Sequence, residues 1–193
     1  MSAPRPPTRL PVSFFARDST DVAPDLLGKL LVVGRCQGRI TEVEAYTQDD
    51  PASHAFRGPT ARNAVMFGPP GRFYVYFTYG MHHCANIVTG TVGVGQGVLL
   101  RAVEPVAGLA TMRARRGAVA DQRLADGPGK LAQAFGLGLA DNGRRAVVYD
   151  DGIEIDVPPP GPRIGITRAV DWPRRWQLPS AANRRGGAQS PGG

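Results

Sequence analysis

One short stretch of the sequence, residues 40–46, carries acidic and aromatic side chains at every second position. Alternate side chains of a strand share a face, so this spacing predicts that three of them point the same way: Glu42, Glu44 and Tyr46. Two carboxylates are costly to bury without partners, and exposure to solvent is the simplest explanation of this face taken alone. Held in a pocket, however, a carboxylate could take a proton from water or stabilise a positive charge.

A second stretch, residues 73–79, alternates aromatic residues along a predicted strand. Tyr74 and Tyr76 share one face, whereas the opposite face is apolar and typical of a core. Tyrosines with satisfied hydroxyls are also common in cores. A wall of flat rings with polar tips would equally suit a nucleobase, because every base offers a π-face for stacking. Tyr79 ends the strand before Gly80, where the chain can project it outward.

Arg101 interrupts a third, otherwise apolar stretch, residues 97–103. A buried guanidinium needs a carboxylate or a phosphate as its partner. A structural ion pair with Glu104 or with Glu42 would satisfy it.

The charge of the chain points to a polyanionic partner. The net charge is +7 and the sequence pI is about 10.1. Of 23 basic residues only Lys29 and Lys130 are lysines. A GC-rich genome favours arginine codons, so basicity alone makes nucleic-acid binding no better than an even choice.

The length of 193 residues suits one domain with a substantial core. The sequence contains no apolar run long enough to span a membrane and no signal peptide, and two cysteines make no disulfide framework, so a cytoplasmic protein is expected. We expect flexible ends at residues 1–12 and 179–193 around a domain at residues 13–178, because the final stretch is rich in Gly, Ala and Pro.

The periodicities predict a mixed set of elements. Helices are predicted at residues 22–31, 105–116 and 128–135, with Asp21 as the N-cap of the first and Gly117 ending the second. Strands are predicted at residues 40–46, 73–79, 83–89, 97–103, 146–157 and 163–166. Strands clustered without regular strand–helix repetition favour an α+β fold, a single domain with a curved, mostly antiparallel sheet and flanking helices.

These motifs, in this order, resemble the alkyladenine (3-methyladenine) DNA glycosylases from about residue 14 to about residue 175. The chain carries Glu-x-Glu-Ala-Tyr at 42–46, Tyr-x-Tyr-x-x-Tyr-Gly-Met at 74–81 and Leu-Leu-Arg-Ala-x-Glu-Pro at 99–105. Shorter matches are Leu26–Gly28, His54, Arg62-Asn63, Met66-Phe67, Pro70-Gly71, Asn86-Ile87, Gly127-Pro128 and Lys130-Leu131. The first motif alone would be weak evidence, but the ordered set is specific.

The resemblance implies a reaction and a site for it. Glu44 matches the catalytic carboxylate that activates water to hydrolyse the N-glycosidic bond of a damaged purine, and Arg101 matches the arginine that helps position that water. The walls that would hold the flipped base match Tyr46, His54 and Tyr76, and Asn86 matches the residue that crowds the exocyclic amine of guanine. Methylated purines, hypoxanthine and etheno-adenine all fit such a box, and no cofactor is implied.

The resemblance also implies how duplex DNA containing damaged purines is held. Tyr79 matches the side chain that inserts into the duplex where the base has left, which recovers part of the unstacking cost. Candidate phosphate contacts are Arg62, Arg113, Lys130 and Arg168. A monomer without membrane attachment is expected.

Three alternatives are weighed against this interpretation. A metal-dependent hydrolase using Glu44, His82, His83 and Cys84 is disfavoured, because adjacent residues of a strand point to opposite faces. A non-catalytic basic nucleic-acid-binding module would share the charge and the tyrosines without needing Glu44 or Arg101. A glycosylase with lyase activity needs an amine nucleophile, and neither Lys29 nor Lys130 belongs to the aromatic site.

Overall fold

The computed structural model describes residues 6–78 and 80–179. Its centre is one antiparallel sheet in the order β1-β7-β2-β3-β6-β5-β4, with β9 added beside β3 and β8 beside β9. The strands are β1 (Thr8–Arg9), β2 (Leu30–Val33), β3 (Cys36–Tyr46), β4 (Phe73–Thr78), β5 (His82–Val88), β6 (Gly97–Ala107), β7 (Val147–Asp150), β8 (Gly161–Pro162) and β9 (Pro173–Gln177).

The long strand β3 organises the sheet. One of its edges pairs with β6 along most of its length, and its other edge is shared by β2 near the start and β9 near the end. Strand β9 thereby brings a segment more than 120 residues distant in sequence against Glu42, Val43 and Glu44.

Within residues 6–78 and 80–179, four α-helices flank the sheet: α1 (Val12–Phe15), α2 (Ser19–Leu26), α3 (Leu109–Arg116) and α4 (Pro128–Phe135). Short 3-10 turns lie at Ala64–Phe67, Asp121–Arg123 and Leu139–Asp141. Helix α4 begins with Pro128, whose missing N–H is not needed in the first turn. Helix α3 ends where Gly117 takes a positive φ of 77°, a conformation that costs glycine little.

The two faces of the sheet carry different clusters. The larger core lies under α2, α3 and α4 and includes Phe73 and Val75 of β4. Tyr74, on the opposite face of the same strand, belongs to a smaller cluster with Ala55, Met66 and Val88. The second face therefore remains available for a site.

The structure confirms the α+β class and the curled antiparallel sheet, but several predicted boundaries are wrong. Helix α2 starts after Asp18, whose side chain accepts a hydrogen bond from Thr20 N at 2.9 Å, rather than at Asp21. Gly28, with a φ of 78°, turns the chain out of the helix, and the residues expected to extend it form β2. Residues 105–107 continue β6 rather than opening α3, because they pair with Gln37 and Gly38.

The first described residues contact the sheet. Thr8 and Arg9 pair with β7, and Leu10 is buried and donates its N–H to Val148 O. Residues 1–5 and 180–193 lie outside the described residues, so a flexible tail stays a prediction. Among the described residues, none of the helices has the length and apolar character that crossing a membrane requires.

Candidate active site

Two irregularities in the pairing of β3 with β6 aim the acidic and basic side chains. Ile40 pairs with Val103 and Glu42 with Ala102, so Thr41 is an extra residue on β3. Val43 then pairs with Leu100, so Arg101 is an extra residue on β6. Such bulges bend a strand and re-aim its side chains, and they are common beside active sites.

Arg101 lies between the two glutamates of β3. Its Nε donates to Glu42 Oε1 at 2.8 Å and its Nη1 lies 3.1 Å from Glu44 Oε1. Arg175 of β9 adds a second cation, 3.0 Å from Glu42 Oε1. Burial by itself would lower the pKa of Arg101, but the charges of Glu44 and Glu42 outweigh it and the pKa is raised. The guanidinium is therefore fixed in its charged form between two acids.

Glu44 is fully buried and its carboxylate is held from several sides. The Tyr46 hydroxyl donates to Oε2 at 2.8 Å, and the backbone N–H of Ile164 donates to Oε1 at 2.9 Å. Burial and the neighbouring Glu44 charge raise the pKa of Tyr46, so the phenol keeps its proton and remains a donor. Together with Arg101, these groups fix the orientation of a charged acceptor.

A set of aromatic rings stands beside this carboxylate. His54 packs edge-on against Tyr76 with ring centroids 4.5 Å apart, and Tyr76 stacks on Tyr74 at 5.5 Å. His54 Nδ1 lies 3.0 Å from the Tyr74 hydroxyl, and Asn63 Nδ2 donates to His54 O at 2.8 Å. Burial, with a contribution from Arg62, lowers the pKa of His54, so its imidazole is neutral at pH 7.

These groups surround one open cavity of about 570 Å³, a size typical of small-molecule pockets. We call it the aromatic cavity; its lining includes Tyr46, His54, Tyr74, Tyr76, Asn86, Arg101 and residues 164–168. Glu44 lies behind this wall and reaches it through its bonds to Tyr46 and Arg101. A guanidinium and flat rings from β3, β4 and β6 thus surround one space, and an acid lies directly behind them.

Comparison with known proteins places this arrangement in a family. The profile of the methylpurine-DNA glycosylases matches residues 13–182. The chain belongs to the methylpurine-DNA glycosylase family. It is 52% identical over 190 residues to a protein of Burkholderia cenocepacia named "Putative 3-methyladenine DNA glycosylase", covering 92% of this chain and 91% of that one. Proteins with the same name from Rhodopseudomonas palustris and Methanoculleus marisnigri are 51% and 49% identical, over 86% and 88% of this chain and 82% and 94% of their own lengths.

Six residues that match the motifs of the family lie in or directly behind the aromatic cavity. They are Glu44, Arg101, Tyr46, His54, Tyr76 and Asn86. Asn86 is buried, and its Nδ2 donates to Tyr74 O at 3.3 Å. Tyr79 lies outside the described residues.

Two of the four candidate phosphate contacts lie at the aromatic cavity and two do not. Exposed Arg168 lines the aromatic cavity and shares an adjoining groove with exposed Arg62, so both stand at the mouth. Arg113 is held by Asp121 through two hydrogen bonds of 2.8 and 2.6 Å, and Lys130 is 2.8 Å from Asp126. Neither of these two lines the cavity, so the structure adds no support for them as phosphate contacts.

Two arginines of the candidate site are not predicted from the sequence. Arg163 lies with its guanidinium 4.6 Å from the centroid of the Tyr46 ring and pairs with Asp50, and both side chains are fully buried. Arg175 was missed as well, because β9 was not predicted. The sequence predicts an extended segment at residues 163–166 and a phosphate contact at Arg168, but no role for Arg163.

The metal-dependent and lyase alternatives gain no geometric support. The described residues hold no group of three or more His, Cys, Asp or Glu side chains arranged to bind a metal ion. Burial raises the pKa of the Cys84 thiol, which keeps it protonated. Lys29 is paired with Asp150 at 2.9 Å, and neither Lys29 nor Lys130 lines the aromatic cavity.

Proposed function

We propose that this chain excises alkylated or deaminated purines that are flipped out of duplex DNA, with Glu44 activating the attacking water. Membership of the methylpurine-DNA glycosylase family makes the chain a DNA glycosylase that acts on alkylated bases. One observation carries the finer proposal: Glu44, oriented by Arg101 and Tyr46, lies directly behind the two side chains that form this part of the wall of the aromatic cavity.

The proposed chemistry follows from this carboxylate. As the bond from C1′ to the base nitrogen breaks, its electron pair leaves with the base and positive charge develops on the sugar. Water attacks C1′ from the side of Glu44, which accepts the water's proton and stabilises the cation. Arg101 lines the cavity and bonds Glu44, and it would hold this water in line. An alkylated, cationic base leaves as a neutral molecule, whereas hypoxanthine leaves as an anion that takes up a proton from water. The products are the free base and an abasic site.

Selection of damaged bases would come from the rings. An alkylated purine is cationic and electron-poor, so the faces of Tyr46 and Tyr76 favour it by a cation–π contribution of about 1 kcal/mol. His54 supports this choice because its neutral imidazole does not repel a cation. Asn86, buried in the lining, would crowd the exocyclic amine of guanine and so disfavour the normal base.

Access to duplex DNA would need a wedge and a basic mouth. Tyr79 would fill the space the base vacates, and Arg62 and Arg168 would bind phosphates beside the opening. We further propose that the protein acts as a monomer. We also propose that it only hydrolyses, because both lysines are engaged with aspartates and neither lines the cavity. Borohydride treatment during turnover should therefore trap no covalent enzyme–DNA adduct, and a trapped adduct would refute the purely hydrolytic mechanism.

The decisive experiment uses end-labelled duplexes, each with one hypoxanthine, etheno-adenine or 7-methylguanine, incubated with protein and then with alkali. The wild-type protein should produce alkali-labile abasic sites, and Glu44→Gln should bind the same duplex without cleaving it. Glu154→Gln, an exposed acid away from the cavity, is the matched control and should cleave normally. Full activity of Glu44→Gln would overturn the mechanism, and binding without cleavage by the wild type would favour the non-catalytic module.

A further inference from the structure

Asp50 and Arg163 form a buried ion pair behind the aromatic cavity. Both terminal nitrogens of Arg163 donate to the Asp50 carboxylate, Nη2 to Oδ1 at 3.0 Å and Nη1 to Oδ2, and neither side chain is exposed. Arg163 Nε is buried without a hydrogen-bond partner among the described residues. Burying two charges and one unpaired donor offsets much of what the pair gains, so stability alone explains it poorly.

The pair contacts the surroundings of Glu44 from two directions. The guanidinium of Arg163 lies over the Tyr46 ring, whose hydroxyl donates to Glu44 Oε2. The next residue, Ile164, donates its backbone N–H to Glu44 Oε1. Arg163 thus stands behind two donors that fix the carboxylate, without a hydrogen bond to Glu44 itself.

The segments joined by the pair have little structure of their own. Residues 163–168 form neither helix nor strand, and Asp50 lies in the turns that follow β3, where its Oδ1 also accepts from Ala52 N at 2.9 Å. Both segments contribute to the wall of the aromatic cavity. Arg163 Nη1 also donates to Ala45 O at 3.2 Å, which ties both segments to the end of β3.

We propose that Asp50 and Arg163 are a positioning pair for the reaction, holding Tyr46 and the Ile164 amide on Glu44. This inference rests on the proposed function of Glu44. A planar guanidinium is needed because it binds Asp50 through two hydrogen bonds while stacking on the ring, and lysine, a point charge, can do only part of this. Because small displacements of catalytic groups cost large factors in rate, loosening the pair should slow cleavage more than binding.

The test compares Arg163→Lys and Asp50→Asn with Arg39→Lys. Arg39 makes a similar two-bond pair with Asp151, at 3.2 and 2.8 Å, and neither residue lines the cavity. For each protein three quantities are measured: the thermal unfolding midpoint, the affinity for a duplex with a slowly cleaved 2′-fluoro hypoxanthine nucleotide, and the single-turnover cleavage rate of the unmodified hypoxanthine duplex.

We expect Arg163→Lys and Asp50→Asn to cleave about 10- to 100-fold more slowly while the affinity changes by less than about threefold. Arg39→Lys should cleave at the wild-type rate even if its unfolding midpoint falls by as much as that of Arg163→Lys. Equal rates for all four proteins, or a loss of rate that merely follows the loss of stability in both arginine variants, would overturn the inference. If Arg163→Lys does not fold, the cleavage rate of the isosteric variant Asp50→Asn, compared with that of the wild type, tests the positioning role.

The two proposals fail in different ways. A wild-type protein that leaves every damaged duplex intact refutes the proposed function, and the positioning role falls with it. A wild-type protein that cleaves, beside Arg163→Lys and Asp50→Asn variants that cleave equally fast, refutes the positioning role alone.

Discussion

The Tyr46 hydroxyl lies 2.8 Å from Oε2 of Glu44, a hydrogen bond between two side chains on the same face of β3. One of these side chains lines the aromatic cavity, and the other is the proposed general base behind it. The ring that would stack on a base is therefore linked directly to the group that would activate water. One hydrogen bond therefore couples the position of a base stacked on Tyr46 to the orientation of Glu44.

Replacing Tyr46 with phenylalanine separates these two roles. Tyr46→Phe keeps the ring but removes the donor to Glu44, so lesion binding should persist while the single-turnover cleavage rate falls about 10- to 100-fold, the equivalent of the ~1.5–3 kcal/mol of a hydrogen bond to a charged group. Tyr149→Phe, on β7 and away from the cavity, is the control. An unchanged cleavage rate in Tyr46→Phe would show that the hydroxyl does not orient the carboxylate.

Local pattern predicted the parts of the site that lie within single strands. The alternation correctly placed Glu42, Glu44 and Tyr46 opposite the core residues Val43 and Ala45, but it was wrong at Ile40, which lies in the core because the bulge at Thr41 shifts the alternation. The bulges that leave Thr41 and Arg101 unpaired between β3 and β6 could not be read from the sequence, because they depend on how two distant strands align.

The charge state of His54 makes base selection depend on pH. Burial lowers the pKa of this imidazole below its ordinary value of 6.5, so it stays neutral at pH 7 and gains its proton only as the pH falls further. Once charged, it should repel a cationic base, and the ratio of cleavage rates for 7-methylguanine over hypoxanthine should fall with decreasing pH. Comparing the pH dependence of this ratio in the wild type and in His54→Phe isolates the contribution of the imidazole. A ratio as pH-dependent in His54→Phe as in the wild type would contradict this.

Long-range partners account for what the sequence did not reveal. Arg163 meets Asp50 across 113 positions, and Arg175 meets Glu42 across 133. Hydrophobic periodicity carries no information about such pairings, and the segments of Asp50 and Arg163 have no regular structure for it to detect. The predicted extended segment at residues 163–166 proved to be a loop whose backbone, at Ile164, contributes a donor to the site.

Arg101 should matter for stability as well as for catalysis. Removing it in Arg101→Gln leaves Glu42 and Glu44 buried close together with one cation fewer, and breaking a buried ion pair in this way costs about 3–5 kcal/mol in the free energy of unfolding. Urea denaturation at pH 7 measures this, with Arg113→Gln as a control that should change little because its pair with Asp121 is exposed. The double variant Glu42→Gln/Arg101→Gln should recover part of the loss. If the double variant regains no free energy of unfolding, Glu42 is not the acid that loses its charge partner in Arg101→Gln.

The two arginines at the cavity mouth should contribute to DNA binding through phosphate contacts. Arg62→Ala and Arg168→Ala, made in the Glu44→Gln background so that the hypoxanthine duplex stays intact, should each weaken binding and lower the slope of log affinity against log salt by about 0.9. Arg113→Ala is the matched control, because its guanidinium is held by Asp121 away from the cavity. The comparison separates a local contact from the general effect of a net charge of +7, which each variant lowers equally. If all three variants change the slope alike, the mouth has no special role, and binding depends on overall charge instead.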